Sequence, residues 1–301
     1  MQDQVTTAFD SPQKDTLVPA HAWIRIVVIG ALFVLLHSYV LKLLYQSGRH
    51  DPDWAHIFLI PFISIYLIYH QRERLRNIPI WRDWIGIPIF VGGFTMYAAG
   101  IHLHSTMVMG YAMIIELLGI TWYFVGRKMM TVLWVPILYL GFGVKFSVIY
   151  TYISLILQHV ASAIGSVLIN ITGLFAAIEA EPIGAMINIY HRGALMTPPL
   201  NVEEACSGLR SLMALGALSV AMAFLNPRPW QSRILVIAAA VPVAVTVNAI
   251  RIAIIGLMYP YMPQLSRGDP HEFLGLVMLV PALLALTGIM RLTDHIFANK
   301  N

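Results

Sequence analysis

Charged side chains are scarce in this sequence. Asp, Glu, Lys and Arg make up 11% of its 301 residues and hydrophobic residues make up 58%, whereas an average soluble domain has about 25% charged residues. So little polar surface cannot cover a water-soluble globule of this size. The net charge of +4 comes from basic residues distributed among loops, which does not indicate nucleic-acid binding. The composition predicts an integral membrane protein.

Cysteine occurs once, as Cys206, and the zinc-protease motif His-Glu-x-x-His does not occur. A single cysteine cannot form an internal disulfide, so it is either a small buried hydrophobe or a reactive thiol. His102 and His104 are the one candidate pair of metal ligands, but histidines on a turn are usually solvated. The apolar runs contain no evident pair of carboxylates for aspartic-protease chemistry. We expect no metal and no cofactor.

Long apolar runs predict an all-α polytopic membrane protein with about eight transmembrane helices. A helix needs roughly 20 mostly apolar residues to cross about 30 Å of hydrocarbon. The predicted spans are 24–45, 54–69, 84–101, 106–125, 129–144, 209–225, 234–258 and 273–290. Residues 1–22 form a polar tail, so the first run is expected to be a permanent span and not a cleaved signal. Residues 1–301 are interpreted as a single membrane domain.

The basic residues between these spans predict the orientation of the chain. By the positive-inside rule, loops rich in Lys and Arg face the cytoplasm. The loop 70–83, the turn after the fourth span and the turn after the sixth span carry these residues: Arg72, Arg74, Arg76, Arg82, Arg127, Lys128, Arg228 and Arg233. Eight spans place all three loops and both termini on the cytoplasmic side.

Residues 146–205 separate the fifth and sixth predicted spans. Residues 146–175 are apolar enough to cross, but a ninth crossing would put the basic turns at 127–128 and 228–233 on opposite sides. Polar residues recur there at helical spacing, on one stripe of a helix: Thr151, Ser154, Gln158, Ser162, Ser166 and Asn170. We therefore expect an extra amphipathic helix that lies in the outer interface or lines a cavity. The alternating residues 185–190 predict a short extracytoplasmic strand or hairpin after it.

Cys206, Arg251 and His271 lie at the outer ends of three consecutive predicted spans, within the catalytic core region 206–292. A helix N-terminus favours the thiolate of Cys206. Arg251 interrupts an apolar run, at a cost of about 2.5 kcal/mol or more near the bilayer centre, unless it extends to the outer interface. Asn248 lies one turn earlier on the same face, and His271 opens the last span. Together they supply a nucleophile, an anion stabiliser and a general acid or base.

A polytopic transporter or channel for an anionic solute is the alternative. Arg251, Asn248 and the polar stripe of residues 151–170 would then line its path. This interpretation explains the arginine, but it gives Cys206 and His271 no necessary task.

Three motifs in the last third of the chain resemble the core of the exosortase/archaeosortase family. They are Glu204-Ala-Cys-Ser-Gly-Leu-Arg-Ser211, Asn248-Ala-Ile-Arg251, and His271 with Gly275 four residues later. Histidine in the third place resembles exosortases, because archaeosortases carry an arginine there. The earlier segment Asp51-Pro-Asp-Trp-Ala-His56 is similar to the family's Asp/His segment, although Ile57 stands where a glycine is common.

The resemblance implies a cysteine peptidase and transpeptidase with its active site at the outer face of the bacterial cytoplasmic membrane. Its substrates would be secreted proteins with a PEP-CTERM-like C-terminal signal, namely a short motif, a transmembrane helix and a basic tail. Cys206 would form a thioester, His271 would act as acid and base, and Arg251 would stabilise the oxyanion or lower the thiol pKa. Five further residues are expected to support the site or bind substrate: Glu204, Ser207, Arg210, Asn248 and His56. The expected partners are the sorting signal, membrane lipid and an acceptor nucleophile of unidentified chemistry.

Overall fold

The fold is known from a computed structural model, which describes residues 20–145, 147–202, 209–225, 228–266 and 268–298. The α-helices are α1 (Ala20–Leu36), α2 (Ser38–His50), α3 (Ile60–His70), α4 (Arg72–Arg76), α5 (Gly86–His102), α6 (Thr106–Tyr139), α7 (Ser147–Thr172), α8 (Leu209–Leu225), α9 (Trp230–Met258) and α10 (Gly268–Ala298). Short 3₁₀ helices cover Pro52–Phe58, Leu140–Gly143, Gly173–Ala176 and Pro263–Ser266. The strands are β1 (Ile178–Ile183), β2 (Met186–His191), β3 (Ala194–Leu195) and β4 (Leu200–Asn201).

The first predicted span is two helices and not one. α1 and α2 meet at an angle of 68°, and His37 lies at the break between them. The His37 side chain is fully buried, and its Nδ1 lies 2.9 Å from the carbonyl oxygen of Phe33 one turn earlier. A buried polar ring that must reach partners of its own interrupts the regular packing of an apolar helix, and the chain bends there.

The helix α6 doubles back at Gly126. This residue has φ 78° and ψ 169°, a conformation that is essentially restricted to glycine. A Cβ atom placed on Gly110 would lie 2.7 Å from the side chain of Val144, whereas residues so far apart in an uninterrupted helix would be separated by about 50 Å. The two arms of α6 and its 3₁₀ extension therefore correspond to the predicted spans 106–125 and 129–144, joined by the predicted basic turn.

The count of eight spans is not confirmed. By length and apolar composition, four segments of the described chain could each cross a membrane, namely Thr106–Gly143, Tyr152–Ala176, Trp230–Met258 and Phe273–Phe297, and the bent pair α1–α2 would be a fifth. α3, α5 and the described part of α8 are apolar but shorter. The predicted span 54–69 begins as a 3₁₀ helix, and Pro61 lies in the first turn of α3, so its α-helical part is short. Tyr152–Ala176, which parity excluded from the spans, meets the length criterion.

The helix α7 presents its polar stripe to the interior of the protein. Ser154, Gln158, Ser162 and Ser166 are buried, whereas Ile171 is 65% exposed. Gly165 packs on Ile252, and Ile169 packs on Gly256, so α7 and α9 run in the same direction where they touch. An apolar outer face and a polar inner face are typical of a helix whose outer surroundings are lipid. The predicted amphipathic helix is present, with its polar side inward.

The predicted hairpin is confirmed and forms part of a four-stranded antiparallel sheet, in which β2 pairs with β1, β3 and β4. Gly184 has φ 62° in the two-residue connection between β1 and β2, as tight hairpin turns require. Ile187 and Ile189 are fully buried and belong to one apolar cluster with residues of α7 and α9. The sheet therefore lies over the ends of α7 and α9.

The three basic loops meet at one end of the helices. Arg127 Nε lies 3.0 Å from Asp83 Oδ2, which joins the turn of α6 to the loop before α5. Arg228 Nη2 lies 3.1 Å from Asp294 Oδ2, which joins the turn before α9 to the end of α10. The common side that the positive-inside rule assigned to these loops therefore corresponds to one face of the structure.

Candidate active site

Arg251 and His271 are in direct contact at the end of the helices opposite the basic loops. Arg251 lies in the last third of α9, and His271 lies in the first turn of α10. Each residue is only 8% exposed, and Arg251 Nη2 hydrogen-bonds His271 Nε2. Arg251 therefore does not extend to the outer interface as a solvated cation. Inside the protein it contacts the histidine that the sequence interpretation proposed as the general acid or base.

The contact defines the protonation of the imidazole. A guanidinium only donates hydrogen bonds, so Arg251 Nη2 donates and His271 Nε2 accepts. The imidazole is then neutral and carries its proton on Nδ1. Such a pair combines a neutral imidazole, whose Nε2 becomes a base when Arg251 withdraws, with a cation that can stabilise a developing negative charge.

Burial and two arginines keep His271 in its neutral form. Burial, followed by the positive charges of Arg251 and Arg210, lowers the pKa of His271 from 6.5 to about 4. Its position precedes the apolar segment Phe273–Phe297. Arg210 is exposed, in the first turn of the described part of α8, and it follows Cys206 by four residues. Its effect on His271 shows that the start of α8 lies near the Arg251–His271 pair.

Replacing Arg210 with glutamine is expected to raise the pKa of His271, because a nearby positive charge that disfavours the imidazolium is removed. If neutral His271 is the catalytic base, the acidic limb of kcat/KM then moves to higher pH. A pH–rate profile of the wild type and Arg210→Gln measures this shift. Arg192→Gln, which removes an exposed positive charge from the turn before β3, should leave the limb in place. A limb that stays fixed or moves to lower pH in Arg210→Gln contradicts this role of His271.

Gly275 makes room for the guanidinium of Arg251. It lies one turn after His271 on α10, and a Cβ atom placed on it would lie 3.2 Å from Arg251 Nη1 and 3.3 Å from Cζ. These separations are shorter than ordinary van der Waals contact. Because the obstacle is the end of a long side chain, a methyl group there would displace the guanidinium and leave the backbone in place. The glycine thus allows Arg251 to lie flat against the helix that carries His271.

Gly275→Ala is therefore expected to lower kcat/KM by about tenfold, because the guanidinium is pushed off His271 by less than 1 Å. Gly288→Ala is the matched control on the same helix, since no atom lies within 4 Å of the added Cβ. The control should retain full activity and gain up to about 1 kcal/mol in the free energy of unfolding. Equal activity of the two variants would exclude a positioning role for Gly275.

The remaining predicted site residues differ in what the structure shows. Asn248 is 3% exposed, one turn before Arg251 on α9. The ring of His56 lies 5.4 Å from that of Trp54, and it lines a cavity of about 170 Å³ together with residues of α3, α8 and α10. Cys206, Glu204 and Ser207 lie outside the described residues.

A comparison with protein-family models finds one match, described as transmembrane exosortase, which covers residues 46–288. The chain belongs to the transmembrane exosortase family. The match includes every residue of the candidate site, from His56 to His271, and extends over most of the helices. No curated protein and no solved structure matches the chain. Family membership and the long apolar helices make this exosortase a multi-pass membrane protein.

The polar stripe of α7 anchors the sheet of this exosortase. Ser162 Oγ donates a 2.7 Å hydrogen bond to the carbonyl oxygen of Gly184. Asn170 accepts from the backbone N–H of Ala180 at 2.7 Å and donates to its carbonyl oxygen at 3.0 Å. Polar groups that are engaged in this way are not available to line the path of a transported anion. Much of the polar surface that the transporter interpretation assigned to an anion pathway is therefore engaged in holding the sheet.

The histidines that suggested a metal-dependent protease lie at the surface. His102 and His104 are both exposed, at the end of α5 and in the turn after it. In the part of the chain that the structure describes, no group of three or more His, Cys, Asp or Glu side chains could hold a metal ion.

A second polar site, at His37 and Glu116, was missed by the sequence interpretation. Both side chains are fully buried, and His37 Nε2 lies 3.4 Å from Glu116 Oε2. The ring of Tyr97 meets that of His37 edge-on at 4.7 Å. Each ionisable residue stands alone in an apolar run of the sequence. Because ionisable side chains inside membranes usually pair with one another, two such isolated residues were a signal that could have been used.

Proposed function

We propose that this exosortase is a cysteine peptidase and transpeptidase of the bacterial cytoplasmic membrane. It cleaves the C-terminal sorting signals of secreted proteins at the outer face and forms a thioester on Cys206. The observation that supports this proposal most strongly is the buried contact between Arg251 and His271, beside the helix that follows Cys206. The contact brings the cation and the base of the predicted mechanism together.

The position of the pair along its helices fits an active site at one membrane surface. Arg233 and Arg251 lie five turns apart on α9, about 27 Å along its axis. His271 and Asp294 are separated by about 35 Å along α10. These separations approximate the thickness of the hydrocarbon core. If the basic loops face the cytoplasm, as their charge predicts, the Arg251–His271 pair faces the periplasm, and the eight-span topology satisfies both conditions.

In the proposed mechanism, the guanidinium of Arg251 first moves from His271 Nε2 to the carbonyl oxygen of the bound substrate. The freed Nε2 then takes the proton of the Cys206 thiol, and the thiolate attacks the scissile carbonyl carbon. Imidazolium and guanidinium repel each other, so the protonated ring keeps Arg251 away from Nε2, and the guanidinium stabilises the oxyanion. His271 returns its proton to the leaving amine, and the thioester remains. An incoming nucleophile gives its proton to His271, attacks the thioester and regenerates the thiol.

The membrane-embedded part of the site suits a helical substrate. The cavity at His56 lies between α3, α8 and α10, about one to two turns beyond Arg210 on α8 and about two to three turns beyond His271 on α10. Its wall on α8 includes Ala214 and Ala217, and small residues allow helices to approach closely in membranes. A substrate helix beside this wall would present its outward end to Cys206, while its basic tail remains in the cytoplasm.

Co-expression with a candidate precursor tests the proposed function. A secreted protein with the C-terminal motif, transmembrane helix and basic tail is followed by its electrophoretic mobility and the mass of its C-terminus. We expect a shortened product that depends on the enzyme, is blocked by a membrane-permeant thiol alkylator and is unaffected by metal chelators. Shortening that persists after complete alkylation, or stops with chelation alone, would contradict the proposal.

A further inference from the structure

Three arginines from two parts of the chain gather at the end of the helices opposite His271. They are Arg74 on α4, Arg228 just before α9, and Arg233 in the first turn of α9, and together they are called the arginine cluster. The positive charges of Arg74 and Arg228 both act on Arg233. The cation of Arg233 lies 4.7 Å from the ring centroid of Phe224 on α8. The cluster thus joins α4 to the turn between α8 and α9.

One carboxylate faces the cluster, and its hydrogen bonds are already in use. Asp294 Oδ2 lies 3.1 Å from Arg228 Nη2, and Asp294 Oδ1 accepts from Ser232 Oγ at 3.3 Å. The side chain of Arg228 is only 7% exposed. Its Nη1, like Nε of Arg233, is buried without a hydrogen-bond partner among the described residues. Of the three guanidinium groups, that of Arg228 pairs with a carboxylate, and among the described residues one N–H group each of Arg228 and Arg233 has no acceptor.

Buried donors without a partner cost about 1–3 kcal/mol each, and more when the group is charged. Adjacent like charges at the edge of a low-dielectric region add to this cost. α9 begins at the same place, where Pro229 provides no side-chain cap, so the positive end of the helix dipole points into the cluster. Trp230 is 68% exposed, as expected of an aromatic residue at the level of lipid headgroups. An anion with several oxygen acceptors would accept hydrogen bonds from the unpaired donors, offset the repulsion between the arginines and interact favourably with the helix dipole.

We propose that the arginine cluster binds a phosphate group, and that an anionic phospholipid of the cytoplasmic leaflet supplies it. Arginine pairs well with phosphate because its N–H groups form two parallel charge-assisted hydrogen bonds. The phosphate bridges α4, the start of α9 and, through Arg228 and Asp294, the end of α10. It thereby clamps the basic ends of helices whose other ends carry Arg251 and His271. This site is separate from the proposed peptidase chemistry.

Thermal unfolding of the purified full-length protein in detergent tests the site without any activity assay. Phosphatidylglycerol, phosphatidylcholine or inorganic phosphate is titrated in separate series. Saturating phosphatidylglycerol is expected to raise the unfolding midpoint by about 4 °C, and phosphatidylcholine is not. In Arg74→Gln, the half-saturating concentration of phosphatidylglycerol should rise by about tenfold.

Arg76→Gln is the matched control, because Arg76 lies on the same exposed helix and faces Glu73 at 3.4 Å instead of the cluster. Both substitutions remove one positive charge, so non-specific attraction to anionic lipid falls equally. A saturable rise with inorganic phosphate, weakened only in Arg74→Gln, supports the phosphate site and assigns it a soluble source. No rise with either ligand, or an equal response of both variants, overturns the proposal. Arg74 is exposed, so its replacement leaves folding intact and the comparison valid.

Discussion

Cys206→Ala is expected to abolish cleavage of a co-expressed precursor and to leave the full-length form in the membrane. If Cys206 is the nucleophile, its loss removes the thioester route, and we expect the rate of processing to fall by at least about 1,000-fold. Cys206→Ser should be almost as inactive, because a serine hydroxyl is a much weaker nucleophile than a thiolate. Mass spectrometry of the precursor C-terminus measures both effects.

The control for this prediction is the folding of the variants. Cys206→Ala should reach the membrane in the same amount as the wild type and unfold at the same temperature within about 2 °C. The peptidase proposal is contradicted if a correctly folded Cys206→Ala protein still processes the precursor at more than a few per cent of the wild-type rate. If Cys206→Ala is inactive because it does not fold, alkylation of Cys206 in the wild-type protein tests the same thiol in the native structure.

Arg251→Lys is expected to lower kcat/KM by about 100-fold, although it preserves the positive charge. The guanidinium of Arg251 hydrogen-bonds His271 while lying against Gly275, and its N–H groups have a fixed planar arrangement. An ammonium is a compact point charge that cannot reproduce this planar arrangement. Removal of a single oxyanion donor costs about 100- to 1,000-fold in an acyl-transfer enzyme such as a serine protease. Single-turnover cleavage of the precursor measures the effect.

Arg192→Lys is the matched control for this substitution, because Arg192 is an exposed arginine in the turn before β3, and it should cleave at the wild-type rate. Arg251→Met should be at least as impaired as Arg251→Lys, since it also removes the charge. If Arg251→Lys cleaves as fast as the wild type, charge alone is sufficient and the directional contact with His271 has no catalytic role.

The parts of the fold with a local signal could be predicted from the sequence. The apolar runs marked most of the helices, and alternation of side chains marked the hairpin of β1 and β2. The turn at Arg127 and Lys128 marked the place where α6 doubles back, and the structure adds that Gly126 adopts the conformation that permits it. Charge counting placed the basic loops at one end, where they do meet.

Features that depend on distant partners could not be predicted from local patterns. His37, which lies at the bend between α1 and α2, contacts Glu116 from a distant part of the sequence. The role of Gly275 becomes visible only when the guanidinium of Arg251 lies against it. The sequence predicted that the loops carrying the arginine cluster share one side, but the shortage of carboxylates around these arginines depends on which side chains meet there.

The Arg251–His271 contact lies between these two cases. Topology placed the residues in the same leaflet on consecutive helices, which made proximity an expectation. The depth of a residue in the membrane does not determine which way its helix is rotated about its axis. The contact between Arg251 and His271, and the neutral state of His271, could therefore be seen only in the structure.

Detection of the acyl-enzyme is the most direct measurement of the central claim, that Cys206 is the nucleophile served by Arg251 and His271. Purified wild-type enzyme is mixed with the precursor, denatured in acid during turnover and analysed by peptide mass spectrometry. We expect the peptide that contains Cys206 to carry the N-terminal fragment of the precursor through a thioester that hydroxylamine removes. Processing without this adduct, or with an adduct on another residue, would contradict the account.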